Sequence, residues 1–283
     1  MTLVQKEVKK VYIGTHQVRP AVPAVTERPD LNTFSLSQTN TISDFTNQHA
    51  ITTIRDGNML YISTTSYLRQ YSMSNHDITN LTLENTRNFD SRWLDLSPDW
   101  EYLYSIKDGY SSYWSYTTRL QFTTPYDLST AVETYNLNWN NNYVGCCIKS
   151  DLSRIYRWNA WQSSQISYAD LTDWAINTTL NWQSYGVGAI TVNGRSYNKI
   201  YDVKISPTGL KMFVCQHYNN TNYWCIAQYT LSTARDVTTA TYDNMYIEVP
   251  NNTWRFAFDV DNHGNLYAVE VWANTLYKYT SSN

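Results

Sequence analysis

Glycine and proline are scarce in this chain, at 9 and 7 of 283 residues, and there are only 4 cysteines. So little glycine and proline excludes a collagen-like or low-complexity polymer. So few cysteines exclude a disulfide-dense scaffold. Charged residues make up 16% and the net charge is −3, which leaves no basic footprint for nucleic acid. No run of about 18 apolar residues occurs, so no membrane span is expected. The first residues, Met1-Thr2-Leu3-Val4-Gln5-Lys6-Glu7, lack the apolar centre of a secretory signal. Gly-x-Ser-x-Gly, His-Glu-x-x-His and phosphate-loop patterns are absent. The histidines, at 16, 49, 76, 217 and 263, are scattered, and no cysteine has metal-site spacing. Neither a metal nor a cofactor is expected. No stretch carries the amphipathic period of a helix.

What is abundant is aromatic and hydroxylic. Aromatics reach 15%, with 25 Tyr and 11 Trp set among Thr, Ser and Asn. That mixture favours strands and polar turns. An apolar strand ending in a tight turn recurs five times. The pairs are Ile51-Thr53 into Asp56-Gly57, Leu94-Leu96 into Ser97-Pro98-Asp99-Trp100, and Cys146-Ile148 into Ser150-Asp151. The last two are Val203-Ile205 into Ser206-Pro207-Thr208-Gly209, and Phe258-Val260 into Asp261-Asn262-His263-Gly264. The turns fall at 56, 99, 151, 208 and 263, stepping by 43, 52, 57 and 55. A period near fifty with four short strands per unit predicts a radial array of small sheets.

A second motif follows each anchor. It is clearest as Gln228-Tyr229-Thr230-Leu231-Ser232-Thr233-Ala234-Arg235-Asp236-Val237-Thr238-Thr239-Ala240, and recurs as Phe122 to Ala131, Gln70 to Ser74 and, degraded, Tyr168 to Thr178. The fifth copy reaches Leu276-Tyr277-Lys278-Tyr279-Thr280 before the chain stops. Its continuation sits near the start, at Phe34-Ser35-Leu36-Ser37 through Ile42-Ser43-Asp44-Phe45. The prediction is an all-β protein: a five-bladed β-propeller over 31–283, closed by the N-terminal strand and left without a free sheet edge.

Residues 1–30 read as an extended N-terminal arm and linker. Residues 1–20 carry Lys6, Lys9, Lys10 and Arg19 against Glu7. Val8-Lys9-Lys10-Val11-Tyr12-Ile13-Gly14 predicts a strand, and Arg19-Pro20 through Arg28-Pro29 a proline-marked leash. A β-prone arm on a stiff leash suits docking onto a partner's sheet, through Val8, Val11, Tyr12, Ile13 and Arg19. A locally packed or disordered tail is the plainer alternative.

Within a blade, strands A to D run outward from the central channel. The B–C and D–A connections then share one rim. Trp114, Trp158, Trp161, Trp224 and Trp272 fall in or beside B–C hairpins, and Trp93, Trp139, Trp182 and Trp254 in or beside D–A crossings. Only Trp100 and Trp174 belong to the other rim. Two explanations compete. Aromatics wedge between blades and cap strand ends, or they form a recognition face. Flat rings among amides and hydroxyls suit sugars. The recognition candidates are Tyr110, Tyr113, Trp114, Trp161, Tyr223, Trp224 and Trp272, centred on the hairpin tips 108–114 and 217–224. On the A strands, Asp95, Asp202, Lys204 and Asp259 share one parity, and carboxylates lining a channel would suit a glycosidase. Such Asp residues more often bond turn backbone, and Cys147 and Thr52 hold the equivalent places. Adjacent Cys146 and Cys147 point to opposite faces. Cys215 and Cys225 flank a hairpin, with reduced thiols the simpler reading. The four Asn-x-Thr sequons, at Asn80, Asn177, Asn219 and Asn251, are at chance level.

Leu231-Ser232-Thr233-Ala234-Arg235-Asp236-Val237-Thr238-Thr239-Ala240-Thr241-Tyr242, following Ile205-Ser206-Pro207-Thr208-Gly209-Leu210-Lys211-Met212-Phe213-Val214, resembles propeller repeats of tailed-phage and environmental viral proteins. Copy two keeps part of the pattern in Leu96-Ser97-Pro98-Asp99 and Thr124 to Ala131. The stretch Lys9 to Pro20 resembles a leader shared by phage structural proteins with unrelated C-terminal domains. The resemblance implies a virion protein exposed on the particle surface, docked to other virion proteins through residues 1–30, with an exchangeable outer module. It supplies no catalytic residue, and an enzyme is not expected. Host-surface glycan adhesion is the first functional expectation. A structural module touching its virion neighbours is the second, and a glycan depolymerase the third.

Overall fold

The structure is a computed structural model that describes residues 11–13, 16–18, 30–42, 48–54, 58–91, 93–96, 102–108, 115–124, 126–139, 145–148, 154–158, 165–170, 181–206, 208–218, 223–249, 256–261, 263–270 and 274–282. Five antiparallel sheets stand around one axis. Blade 1 is β4 (Gln48–Thr53), β5 (Met59–Thr64), β6 (Tyr67–Met73) and β7 (Leu81–Asn88). Blade 2 is β8 (Trp93–Leu96), β9 (Tyr102–Asp108), β10 (Ser115–Phe122) and β11 (Ala131–Trp139). Blade 3 is β12 (Gly145–Ile148), β13 (Arg154–Trp158), β14 (Gln165–Asp170) and β15 (Gln183–Gly186). Blade 4 adds β16 (Ile190–Val192) to β17 (Arg195–Ile205), β18 (Lys211–Tyr218), β19 (Trp224–Leu231) and β20 (Ala240–Val249). Blade 5 is β21 (Phe256–Val260), β22 (Asn265–Glu270), β23 (Thr275–Ser281) and, from the other end of the chain, β3 (Phe34–Thr41). The inner strands touch in the order β4, β8, β12, β17, β21 and back to β4, so the ring is closed.

Burial explains the strand sequences. Inner strands are covered by neighbouring blades on both faces, so β18, β21 and β22 are buried almost without a break. The core is therefore a set of layers between blades, such as Ile51, Leu60 and Ile62 against Tyr267, Val269 and Leu276. Outer strands β3 and β7 are largely exposed and mainly polar, with Leu36 and Leu83 as exposed apolar exceptions.

Closure does not abolish every edge. Each blade keeps its outermost strand open on one side, because a propeller joins blades face to face rather than edge to edge. The edges are instead protected by bulges. The register slips at Gln70/Tyr71, Arg119/Leu120, Gln228/Tyr229 and Lys278/Tyr279, the same place in four blades. The bulged side chains turn back on the sheet. Ser37 Oγ donates to Lys278 O (3.1 Å), Thr134 Oγ1 to Arg119 O (3.3 Å), and Asp243 Oδ1 accepts from Thr230 N (3.1 Å).

A hook fastens each described C–D loop to the preceding blade. It reads Asp-apolar-x-Thr or Asn: Asp30-Leu31-Asn32-Thr33, Asp77-Ile78-Thr79-Asn80, Asp127-Leu128-Ser129-Thr130 and Asp236-Val237-Thr238-Thr239. In three copies the Asp carboxylate accepts from the backbone N–H two residues on, at 2.9–3.0 Å. The apolar residue is then fully buried; Ile78, Leu128 and Val237 are 0–1% exposed. Backbone N–H groups of Leu31, Ile78 and Leu128 donate to the side-chain oxygens of Gln228, Gln38 and Gln70. His76, Tyr126 and Arg235, each directly before the Asp, have φ of 59, 66 and 63°. Gly209, in the fourth anchor turn at φ 79°, has no room for a Cβ, which would meet Arg235 Cγ at 2.3 Å.

Residues 30–33 are thus the first part of the closing segment, one residue earlier than the sequence boundary. Lys211 Nζ and Gln228 Nε2 both donate to Asp30 Oδ1, at 2.7 and 2.9 Å. In the arm, β1 (Val11–Ile13) does not stand alone but pairs with β2 (His16–Val18), Val11 opposite Val18. Val8 and Arg19 lie outside the described residues.

Candidate functional site

The rim of B–C and D–A connections was expected to hold a recognition face, and blade 4 is where it is best described. The hairpin β18–β19 is pinned by Tyr218 N donating to Tyr223 O (3.1 Å). Over it folds a second hairpin, β16–β17, turned by Asn193 (φ 48°) and Gly194 (φ 76°). An Asn-Gly pair of positive φ matches strand twist and makes a two-residue turn. Asn193 Nδ2 donates to Glu248 Oε1 (3.1 Å), and Arg195 Nη1 lies 3.9 Å from the same oxygen. The Arg195 guanidinium sits 3.7 Å from the centre of the half-buried Tyr223 ring. Asn193, Arg195, Tyr223 and Glu248 therefore form one polar-aromatic patch, open to solvent at Asn193 and Glu248.

The adjacent Trp224 is not part of that surface. It is 1% exposed, with Tyr201 edge-on at 4.5 Å, His217 at 4.3 Å and Phe256 of blade 5 at 6.3 Å. This overturns its expected place on a recognition face: β19 begins at Trp224, so alternation points the ring into the seam between blades 4 and 5. Trp158 and Trp93 are likewise buried wedges. Trp158 Nε1 donates to Tyr201 O (3.0 Å). Trp182 is half-buried with the Arg157 guanidinium 3.5 Å from its ring centre. Tyr110, Tyr113, Trp114, Trp161 and Trp272 lie outside the described residues.

The inner carboxylates have other work. Asp202 Oδ1 accepts from Trp93 Nε1 (3.1 Å) and Val203 N (2.9 Å), and its Oδ2 from Phe258 N on blade 5 (3.1 Å). Asp259 repeats the device one blade on: Oδ2 accepts from Thr52 Oγ1 and Thr53 N of blade 1, both at 2.9 Å, and Oδ1 from Val260 N (2.8 Å). Each Asp thus latches its inner strand to the next. Lys204 Nζ donates to Leu94 O (2.8 Å) and lies 5.1 Å from the Trp93 ring centre. Trp93 and Lys204, 2 and 3% exposed, pack side chains across the axis where a channel was expected. Asp95 is half-buried on β8.

Burial pushes the Asp202 carboxyl up to about 6, against the pull of Lys204 and the donated N–H groups. Its folded value lies above the ordinary 3.8, so ionisation weakens the fold, and stability recovers as pH falls through about 6 towards the unfolded value. The difference corresponds to roughly 3 kcal/mol. Unfolding at pH 7 and pH 4 is expected to show the native chain gaining on Asp202→Asn by up to about this amount. A gap independent of pH would contradict the burial account.

Cys215 stands opposite Ile226 and Cys225 opposite Gln216, so the two thiols point to opposite faces and are free. Among the described residues no group of three or more His, Cys, Asp or Glu is arranged to hold a metal, and no helix is long and apolar enough to cross a membrane.

No family model matches the chain, and no curated protein matches it. Solved structures do resemble it. The β-propeller domain of Cps50 (Swd1) from Myceliophteria thermophila aligns at TM-score 0.50 and 9% identity, covering 87% of this chain and 100% of that one. A Trichoderma reesei protein of Carbohydrate-Active Enzymes Family AA12 aligns at TM-score 0.50 and 11% identity, covering 95% of this chain and 100% of that one. Identity this low speaks for architecture and not for activity. By fold, the chain is a five-bladed β-propeller.

Proposed function

We propose that this chain is a non-enzymatic virion protein of a tailed bacteriophage, docked by residues 1–30 and presenting its propeller outward to bind host-surface glycan. The observation that carries the non-enzymatic part is the occupation of the inner carboxylates. Asp202 and Asp259, 2 and 5% exposed, give both oxygens to strand backbone and neighbouring side chains. A general acid or nucleophile must instead reach substrate. The virion part rests on the resemblance of the repeats and of the leader at 9–20. Binding is assigned to the B–C rim: its described part is the Tyr223–Arg195 pair, and the sequence assigns Tyr110, Tyr113, Trp114, Trp161 and Trp272 to the same set of connections. Many copies on one particle would turn weak single-site binding into avidity.

Binding of the purified propeller to host cells or a glycan panel tests this. Trp114→Ala is expected to lower binding at least tenfold while unfolding is unchanged. Sugar release that vanishes with Asp202→Asn or Asp95→Asn would instead establish a depolymerase. One observation favours a second reading, a structural module that touches its virion neighbours sideways. Leu36, Leu83 and Val132 are 49, 46 and 52% exposed on the outer strands of the consecutive blades 5, 1 and 2.

A further inference from the structure

Blade 4 meets the incoming arm at one end and carries the polar-aromatic patch at the other. β18 starts at Lys211, beside the fourth anchor turn, and ends at Tyr218, which closes the hairpin onto Tyr223. Its eight residues, at about 3.3 Å each, set the two ends roughly 23 Å apart. The arm joins the propeller at Asp30, and Asp30 is fastened at the Lys211 end. Here its hook departs from the others. Asp127 and Asp236 each accept from the backbone N–H two residues on, whereas Asp30 makes no such bond. Its Oδ1 instead accepts from Lys211 Nζ on β18 (2.7 Å) and from Gln228 Nε2 on β19 (2.9 Å). The Lys211 contact, with Gln228 second, holds the Asp30 carboxyl below the ordinary range. Leu31 N donates to Gln228 Oε1 (2.9 Å), and the Leu31 side chain is buried with Phe213 and Cys215 of β18 and Ile226 of β19. The tie to β23 begins two residues later, where Ser282 N donates to Thr33 O (2.9 Å) and the Thr33 and Ser281 hydroxyls lie 2.8 Å apart.

We propose that Asp30 and Leu31 are the tether point of the propeller, a clasp that passes tension from the arm into β18 and β19 before it reaches the closing strand β3. The inference rests on the reading of the arm as anchor and the B–C rim as binding face. In that reading the particle pulls at residue 30 while the host pulls at Tyr223 and Arg195. The line between those points runs along β18 and β19. A pull along a strand strains its hydrogen bonds together, so they yield together and not one after another. Without the clasp, the same pull would begin at Thr33 and work directly on the β3–β23 pair, whose loss opens blade 5. A charge-assisted bond is shorter and roughly twice as strong as a neutral one, which suits Asp30 and Lys211 to the first link. This also explains why Asp30, alone among the described hook residues in following the arm, gives its carboxylate to the preceding blade and not to its own turn.

Force spectroscopy on the purified full chain tests the clasp. The chain is pulled between its N-terminus and a peptide tag inserted in the Asn193-Gly194 turn. Asp30→Ala is expected to shorten the lifetime of the closed ring at fixed force about tenfold. Pulling between the C-terminus and the same tag should leave the variant near the native lifetime. Leu31→Ala is expected to show the same asymmetry. An unchanged lifetime in N-terminal pulling would overturn the clasp. Shortening by the same factor in both geometries would overturn it too, since Asp30 would then serve only general stability. The measurement uses no particle, so its failure is distinct from failure of the virion reading, which stands or falls on co-sedimentation.

Discussion

A chain beginning at residue 43 is expected to lose the cooperative unfolding of the whole ring. It would lack β3, which pairs along β23 from Thr275↔Thr41 to Ser281↔Phe34. It would also lack the hook at 30–33, whose Leu31 is 1% exposed in the layer between blades 4 and 5. Burying one such leucine contributes about 1.5–3 kcal/mol. Each strand hydrogen bond adds about 0.5–1.5 kcal/mol, and removing Asp30 leaves Lys211 and the buried Gln228 amide without a partner they now hold. Together these are on the order of the entire 5–15 kcal/mol margin of a folded domain. Removal of residues 1–29 alone should leave thermal unfolding nearly unchanged. Equal Tm values for the two truncations would show that the closing strand is dispensable.

The second large effect is expected at Trp224. Truncation to Ala in a layer shared with Tyr201, His217 and Phe256 should cost about 3–5 kcal/mol, read by denaturant unfolding. Tyr223, one residue away, is half-buried and stacked on Arg195, so Tyr223→Ala should cost only about 1 kcal/mol. The ordering separates a wedge from a surface group. If Trp224→Ala kept full stability but lost ligand binding, the ring would be facing outward and the seam between blades 4 and 5 would be misassigned.

The anchors made the five blades legible because each A strand ends in a short polar turn, clearest as Ser206-Pro207-Thr208-Gly209 and Asp261-Asn262-His263-Gly264 and reduced to Asp56-Gly57, Ser97-Pro98-Asp99 and Ser150-Asp151 in the others. Closure was legible too, since copy five stops in mid-motif. The hook was read only as part of a strand motif. Its closing copy, Asp30-Leu31-Asn32-Thr33, stands some 200 residues from the blade it fastens, with Leu31 N on Gln228. The signal was nonetheless present as Asp-apolar-x-Thr. The β16–β17 hairpin could have been read from Val192-Asn193-Gly194-Arg195, and it helps to explain why the third step, at 57 residues, is the longest. The fate of the tryptophans was not legible. A shift of one residue along a strand exchanges seam for solvent, and nothing local distinguishes Trp224 from Tyr223. Nor did the sequence distinguish channel-lining carboxylates from latches, because the partners of Asp202, the indole of Trp93 and the N–H of Phe258, come from two other blades.

The functional account is tested most directly by fusing residues 1–29 to a fluorescent carrier and sedimenting it with virions of the producing system, beside a 30–283 chain that keeps the Asp30 hook. The account predicts that the arm fusion sediments with the particles and the isolated propeller stays in the supernatant. Sedimentation of the propeller alone would make its surface an assembly interface, and sedimentation of neither would contradict a place on the virion.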